Sequence, residues 1–264
     1  MERSRRSFLK LAGVCALGLG VKPAVNAFSA DAVKNTGPYA LNPGALVGKQ
    51  WAMVVDMKKC WEKGKEGCKD CLLACHKVHN VPEIGNIKEE IKWIWTEHYE
   101  NTFPGMESHF MPEYMHGKPF VVLCNHCANP PCVRVCPTKA TFKRPDGITQ
   151  MDFHRCIGCR YCMAACPFGA RSFNFKEPRP FLKEADINPT FPSRERGVVE
   201  KCNFCEERLA VGQLPACVVA CKAKALTFGD AEDPKSEVRK LLAANFTIRR
   251  KAELGTQPNV YYIV

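Results

Sequence analysis

The apolar positions of this chain fall into short, differently spaced segments. Residues 11–21, LAGVCALGLGV, form an unbroken apolar run directly behind SRRSFLK at 4–10. That run is about half the length of a membrane span. IKWIWTEH at 91–98 alternates like a strand, with Ile91, Trp93 and Trp95 on one face. Those side chains read as a small core covering a neighbouring site rather than as a binding surface. The tails CPTKATF at 136, CPFGARSF at 166 and CKAKALTF at 221 each predict a tight turn entering a short strand. In TFKRPDGITQMD, Pro-Asp-Gly predicts a turn between two strands. DPKSEVRKLLAANF at 233–246 places Val238, Leu241 and Leu242 on one helical face behind a Ser or Asp cap. The closing VYYIV predicts a terminal strand or docking segment. Two stretches lack periodicity: residues 101–120 predict an irregular loop whose length hints at a partner contact, and the proline-rich 177–197 predicts an extended arm.

The three similar tails are an internal repeat, and each begins at a cysteine. Of seventeen cysteines, sixteen fall into four runs of four. The runs are Cys60, Cys68, Cys71, Cys75; Cys124, Cys127, Cys132, Cys136; Cys156, Cys159, Cys162, Cys166; and Cys202, Cys205, Cys217, Cys221. Thiolates are soft ligands suited to zinc, copper(I) or iron-sulfur clusters. In CIGCRYCMAACP, residues 156–167, three cysteines two residues apart can wrap three corners of a [4Fe-4S] cube. The fourth, three residues on and followed by proline, ligates the neighbouring cube in two-cluster ferredoxins. The same logic gives four nested ligand sets: Cys60, Cys68, Cys71 with Cys221; Cys202, Cys205, Cys217 with Cys75; Cys124, Cys127, Cys132 with Cys166; and Cys156, Cys159, Cys162 with Cys136.

Other uses of cysteine fit less well. Zinc sites account for C-x-x-C pairs but not for the recurrent fourth cysteine and its proline. A disulfide framework predicts scattered cysteines, whereas neighbours two residues apart are poorly placed to bridge. CLLACH at 71–76 has three residues between its cysteines, where a haem attachment site has two, so His76 reads as a bystander. The fold class is therefore α+β: two interleaved bacterial-ferredoxin-like modules over 51–228, with an insertion at 81–119, the arm at 177–197, and a C-terminal helix and tail at 229–264.

Arg5-Arg6 ahead of the apolar run reads as a twin-arginine export signal over 1–27, cleaved after Ala27 and followed by a linker at 28–50. Val14 argues against a lipid anchor at Cys15. Export of an already folded protein reconciles cluster assembly in a reducing compartment with a location on the outer, periplasmic side. The formal charge is +11, and without residues 1–27 it is +7. Four oxidised cubes with their thiolates would bring it to about −1. The basic excess is mostly counter-charge for buried clusters, and no nucleic-acid module is visible. Arg134, Arg155, Arg160 and Lys201 adjoin ligands and are candidates for raising cluster potentials.

CNHCANPPCVRVCP at 124–137, CIGCRYCMAACP at 156–167 and KCNFCEERLAVGQLPACVVAC at 201–221 resemble the four-cluster, ferredoxin-like electron-transfer subunits of polysulfide, dimethyl sulfoxide and nitrite reductase systems. The stretches IKWIWTEHYENTFP, ATFKRPDGI, FPSRERGVVEKCNFC and FTIRRKAELGTQPNVYYIV are similar to the periplasmic iron-sulfur subunit of the Dsr membrane complex. The resemblance implies a quinone-reactive integral-membrane subunit, a multihaem cytochrome c and further Dsr-type subunits as partners, in sulfur metabolism. Membrane association would come only through partners. The resemblance also implies no catalytic residue in this subunit; the alternatives are a polysulfide- or nitrite-type reductase subunit, or an enzyme acting on sulfur at an open cluster. Two departures, the wide gap after Cys60 and Lys222 in place of proline, touch the same set, Cys60, Cys68, Cys71 and Cys221.

Overall fold

The computed structural model describes residues 42–64, 67–184 and 187–264; the export signal, its cleavage point and Cys15 lie outside them. WAMVVD, a continuous apolar stretch, forms strand β1 (Trp51–Asp56). Its two faces serve two cores. Trp51, Met53 and Val55 join the main core, while Ala52 and Val54 pack with Ala231, Val238 and Ile263. That alternation is the strand period of two.

β1 leads into helix α1 (Met57–Gly64), which carries Cys60, and helix α2 (Asp70–Val78) carries Cys71 and Cys75. The insertion supplies β2 (Ile94–His98), a short helix α3 (Tyr99–Thr102) and β3 (Pro119–Leu123). β2 and β3 pair antiparallel, Ile94 opposite Leu123. The alternation expected at 91–98 breaks at Ile94, which is buried together with Ile91, Trp93 and Trp95. The predicted irregular loop at 101–120 holds two 3-10 turns and then becomes a strand at its end.

Each repeat tail enters a strand. Helix α4 (Pro131–Arg134) precedes Cys136 and β4 (Thr141–Lys143), which pairs with β5 (Thr149–Met151) across the Pro-Asp-Gly turn. Helix α5 (Tyr161–Ala164) precedes Cys166 and β6 (Ser172–Phe173), whose partner β7 (Val199–Glu200) delivers the last cysteine run. Helices α6 (Glu206–Leu209) and α7 (Ala216–Ala220) fill the gap between Cys205 and Cys221, and β8 (Leu226–Asp230) follows.

The C-terminal segment is part of the core. Helix α8 (Glu237–Ala244) is capped by Ser236, whose Oγ accepts from the Arg239 N–H at 3.1 Å. β9 (Thr247–Ile248) and β10 (Val260–Ile263) complete a four-stranded sheet ordered β8, β1, β10, β9. β10 runs parallel to β1, Met53 opposite Val260, and both Val260 and Tyr262 are fully buried. Residues of the expected linker also dock: Leu46 N–H donates to the Leu209 carbonyl, and Lys49 and Gln50 N–H groups to the Asp230 carboxylate.

The arm at 177–197 is pinned at Arg194. This side chain, 2% exposed, pairs with the fully buried Glu200 at 2.6 Å and donates to the carbonyls of His79, Asn80 and Pro192. Glu200 also accepts from Trp93 Nε1 at 2.8 Å and Asn174 Nδ2 at 2.6 Å. A buried ion pair survives only when its remaining hydrogen-bonding positions are filled. Here all but the Arg194 Nε position are filled, by the insertion, the arm, Asn174 after β6 and the end of α2, which the pair ties together.

Candidate metal centres

All sixteen described cysteines are unpaired thiols, none joined in a disulfide. The fold gathers them from distant parts of the chain. Cys124, Cys127, Cys132 and Cys166 line one cavity, and Cys136, Cys156, Cys159 and Cys162 line another. Cys60, Cys68, Cys71 and Cys221 line a third, of about 320 Å³, together with Lys63, Lys69 and Lys118. Burial pushes the Cys75 thiol well up, and the nearby thiols of Cys202, Cys217 and Cys205 push it further, so these four also share a site.

The same physics acts throughout. Burial, then its three site neighbours, raise Cys71 to about 12; burial and Cys124 raise Cys127 to about 12; burial raises Cys60 to about 11. Thiols gathered into mutually repelling, mostly buried groups are unsuited to bare ionisation but suited to a cation that binds them as thiolates. Neighbouring groups also border one another. Cys71 bears on Cys75 and Cys217, Cys124 on Cys202, and Cys132 on Cys162. The four groups therefore form a row, from the Cys60 group through the Cys75 and Cys124 groups to the Cys136 group.

The turns that shape these groups repeat at the backbone. In three C-x-x-C pairs the residue before the second cysteine is left-handed: His126 at φ 40°, Gly158 at φ 70° and Phe204 at φ 56°. Such values are uncommon for residues other than glycine. At Gly158 no side chain is possible, because a Cβ would lie 2.4 Å from the Gly197 carbonyl oxygen. Three residues after Cys136, Cys166 and Cys221 the backbone is left-handed again, at Lys139, Gly169 and Lys224. This curls N–H groups onto sulfur: Thr141 to Cys136 at 3.4 Å and Ala225 to Cys221 at 3.3 Å. Phe204 N–H reaches Cys202 and Ala216 N–H reaches Cys205, both at 3.4 Å. His126 and Phe204 stack face to face, centroids 3.7 Å apart, between the two central groups.

The wide gap after Cys60 has a structural cause: Cys60 sits on α1 rather than in a tight turn. Lys222, in the place of proline, pairs with Asp70 at 3.4 Å on the surface.

Of the basic residues suggested by sequence, Arg134, Arg155 and Arg160 are exposed, and Arg160 lies over the rings of Phe173 and Phe175. Lys201 is buried and donates to the carbonyls of Thr149 and Cys202. Sequence reasoning missed three buried groups. Arg171 lies against Cys132 and Cys162. Arg250 covers Phe168 near Cys166. His79 sits with Nδ1 3.6 Å from Cys75 Sγ and Nε2 2.9 Å from the Glu207 carboxylate. His79, Glu207 and Cys205 lie close enough to hold an ion, but Cys205 is already in the Cys75 group, so the trio belongs to that site. Arg171 did leave a signal, as it occupies the repeat position held by Thr141 and Leu226 in the sister tails.

Residues 116–179 and 187–231 match the 4Fe-4S dicluster domain family. The chain is 41% identical, over 98% of its length and 97% of the relative's, to the Hdr-like menaquinol oxidoreductase iron-sulfur subunit 1 of Archaeoglobus fulgidus. It is 36% identical to the arsenate respiratory reductase iron-sulfur subunit of a Shewanella species, over 80% of this chain and 94% of that one. It is 34% identical to the menaquinone reductase iron-sulfur cluster-binding subunit of Nitratidesulfovibrio vulgaris, over 81% of this chain and 88% of that one. With several [4Fe-4S] clusters as its cofactors, the chain belongs to the family of ferredoxin-like iron-sulfur electron-transfer subunits of oxidoreductase complexes and is not their catalytic subunit.

Proposed function

We propose that the protein is a four-cluster electron relay between a quinone-reactive membrane subunit and a second redox subunit. The single observation that carries the reading is the row of four cysteine groups, in which each group borders the next through named thiols. The ligand sets are those four groups: Cys60, Cys68, Cys71, Cys221; Cys75, Cys202, Cys205, Cys217; Cys124, Cys127, Cys132, Cys166; and Cys136, Cys156, Cys159, Cys162.

Each [4Fe-4S] cluster supplies a one-electron carrier, and the chain's residues set where it sits and at what potential. The cysteines hold the irons as thiolates. N–H groups of Thr141, Phe204, Ala216 and Ala225 offset negative charge on sulfur, and Lys201 and Arg250 place positive charge nearby. Apolar walls such as Phe168, Phe204 and Leu226 shield the buried thiols of the row from water. No group has to gain or lose a proton.

Relatives named for menaquinol oxidation and menaquinone reduction support a quinone-linked membrane partner. The described residues contain no helix long and apolar enough to cross a membrane, so attachment in this reading is through that partner. The finer reading is a Dsr-type complex in sulfur metabolism, with a multihaem cytochrome c as the other partner, on the outer side after twin-arginine export. It rests on the stretches quoted above and on Arg5-Arg6.

Iron and labile-sulfide analysis with redox-titrated electron paramagnetic resonance tests the relay. About sixteen irons per chain and four reducible signals are expected. About twelve irons would remove one site from the row, and clusters that no accessible potential reduces would end the relay reading.

A further inference from the structure

Arg171 is a charge buried without an acidic partner. It follows Ala170 at the entry to β6, is 5% exposed, and lies in the wall of the cavity formed by Cys124, Cys127, Cys132 and Cys166. Its Nη1 donates to Thr141 Oγ1 at 3.1 Å and approaches Met151 Sδ at 3.8 Å. Thr141 and Met151 in turn line the cavity of Cys136, Cys156, Cys159 and Cys162. The guanidinium thus spans the partition between these two sites, the inner pair in the nested order of the cysteine runs, and its Nη2 has no hydrogen-bond partner among the described nitrogen and oxygen atoms.

Two other arginines are buried to a similar degree: Arg250, which likewise has no carboxylate within ion-pair distance among the described residues and donates to the carbonyls of Thr102 and Phe168, and Arg194, which shows what is missing. Arg194 has Glu200, whereas none of the described residues offers Arg171 a carboxylate within ion-pair distance. Burying an ion costs several kcal/mol unless an opposite charge meets it. The groups that can meet its charge are the thiols it lies against, Cys132, Cys162 and Cys124. Cys132 and Cys124 belong to one ligand set and Cys162 to the other. Among the described residues, the chain has therefore placed a permanent cation where cluster thiolates are what balances it, and where two clusters share it.

We propose that Arg171 is the common counter-cation of the two inner clusters, raising both potentials together and keeping them matched so that an electron passes between them without being trapped on either. The step moves one electron and no atom: one inner cluster is oxidised as the other is reduced, and Arg171 keeps all its protons. Arg171 is a positioning residue, acting through the clusters it faces. The inference rests on the four-cluster reading.

The test is redox-titrated electron paramagnetic resonance on the full-length Arg171→Gln and Arg171→Lys proteins, with iron analysis. The two inner signals are assigned beforehand through Cys124→Ser and Cys156→Ser. In Arg171→Gln, the reduced-to-oxidised ratio of both inner clusters at a fixed potential should fall about tenfold, about 59 mV for a one-electron couple. The two outer signals should move less than about twofold. Arg171→Lys keeps the charge but not the two-pronged fork, so both inner ratios should fall by about threefold. If Arg171→Gln loads less iron than the wild type, Arg171→Lys decides. A shift in one inner cluster alone, in neither, or equally in all four overturns the proposal. A wild-type protein short of about sixteen irons would instead overturn the four-cluster reading itself.

Discussion

The two inner metal sites and the site at Cys60 are built on different plans. The inner pair opens into cavities of about 10 and 20 Å³, with C-x-x-C turns, a proline after each fourth cysteine and a shared buried arginine. The Cys60 site opens into about 320 Å³, takes Cys60 and Cys71 from two helices of eight and nine residues, and is lined by three lysines. The inner sites are held by backbone geometry repeated from the duplicated module. The outer one is assembled from those two helices, which no other repeat contains. The row thus ends in a regular site at Cys136 and an irregular one at Cys60, so its two ends offer different surfaces to whatever each end meets.

The largest effect should come from removing a ligand on each side of that contrast. Cys60→Ala is expected to leave a folded protein with about twelve irons, because its site borders only one other. Cys162→Ala should lose iron from more than one site. Its side chain shares a buried patch with Cys132 and faces the same arginine, so a collapse there reaches both inner clusters. Iron per chain, measured on both variants, checks this. Equal losses would mean that the inner sites are no more coupled than the outer one.

Next in size is the Arg194–Glu200 pair, which clamps α2 and with it Cys71 and Cys75. Arg194→Met leaves Glu200 buried and unpaired, which typically costs about 3–5 kcal/mol. On heating, the signals of the Cys60 and Cys75 clusters should bleach before those of the inner pair. Simultaneous bleaching of all four would place the clamp in the common core instead.

The sequence announced the inner plan more clearly than the outer one for a physical reason. Ligands that wrap one cube must sit at fixed spacing, so the runs at 124 and 156 are visible as text, as are the strand-entering tails that follow their fourth cysteines. The parallel pairing of β1 with β10 joins residues some two hundred positions apart and has no local signature. WAMVVD and VYYIV each indicate a buried segment, but neither names the other. Charge was harder still. Arg134, Arg155 and Arg160 adjoin ligands in sequence yet point to solvent, while Arg171, Arg194 and Arg250 are buried by tertiary packing. Nearness along the chain says little about which cation a cluster feels. In the arm, proline content hid Arg194, whose role depends on a glutamate delivered by β7.

A smaller effect separates the two plans at one turn. Gly158→Ala forces a side chain into a left-handed backbone and against the Gly197 carbonyl oxygen, and should cost at least about 2 kcal/mol. The equivalent position before the third cysteine of the first run is Asp70, which is helical and pairs with Lys222 at the surface. Asp70→Ala should cost less than about 1 kcal/mol, the value of an exposed ion pair. Thermal loss of cluster absorbance in the two variants measures the difference, and similar losses would remove backbone strain as the distinction.

An effect on stability alone is expected far from any cysteine, at Ser236. Its hydroxyl caps α8 through the Arg239 N–H, and Ser236→Ala should cost about 1 kcal/mol. Val238 of that helix is fully buried against the β1 face turned away from the clusters. The variant should therefore lower the unfolding temperature while leaving all four cluster signals and their potentials in place. This separates global stability from cluster environment, which the other substitutions change together. If Ser236→Ala shifted a potential, strain would be passing through β1 to α1 and Cys60, and the Cys60 site would be coupled to the sheet as tightly as the inner sites are to each other.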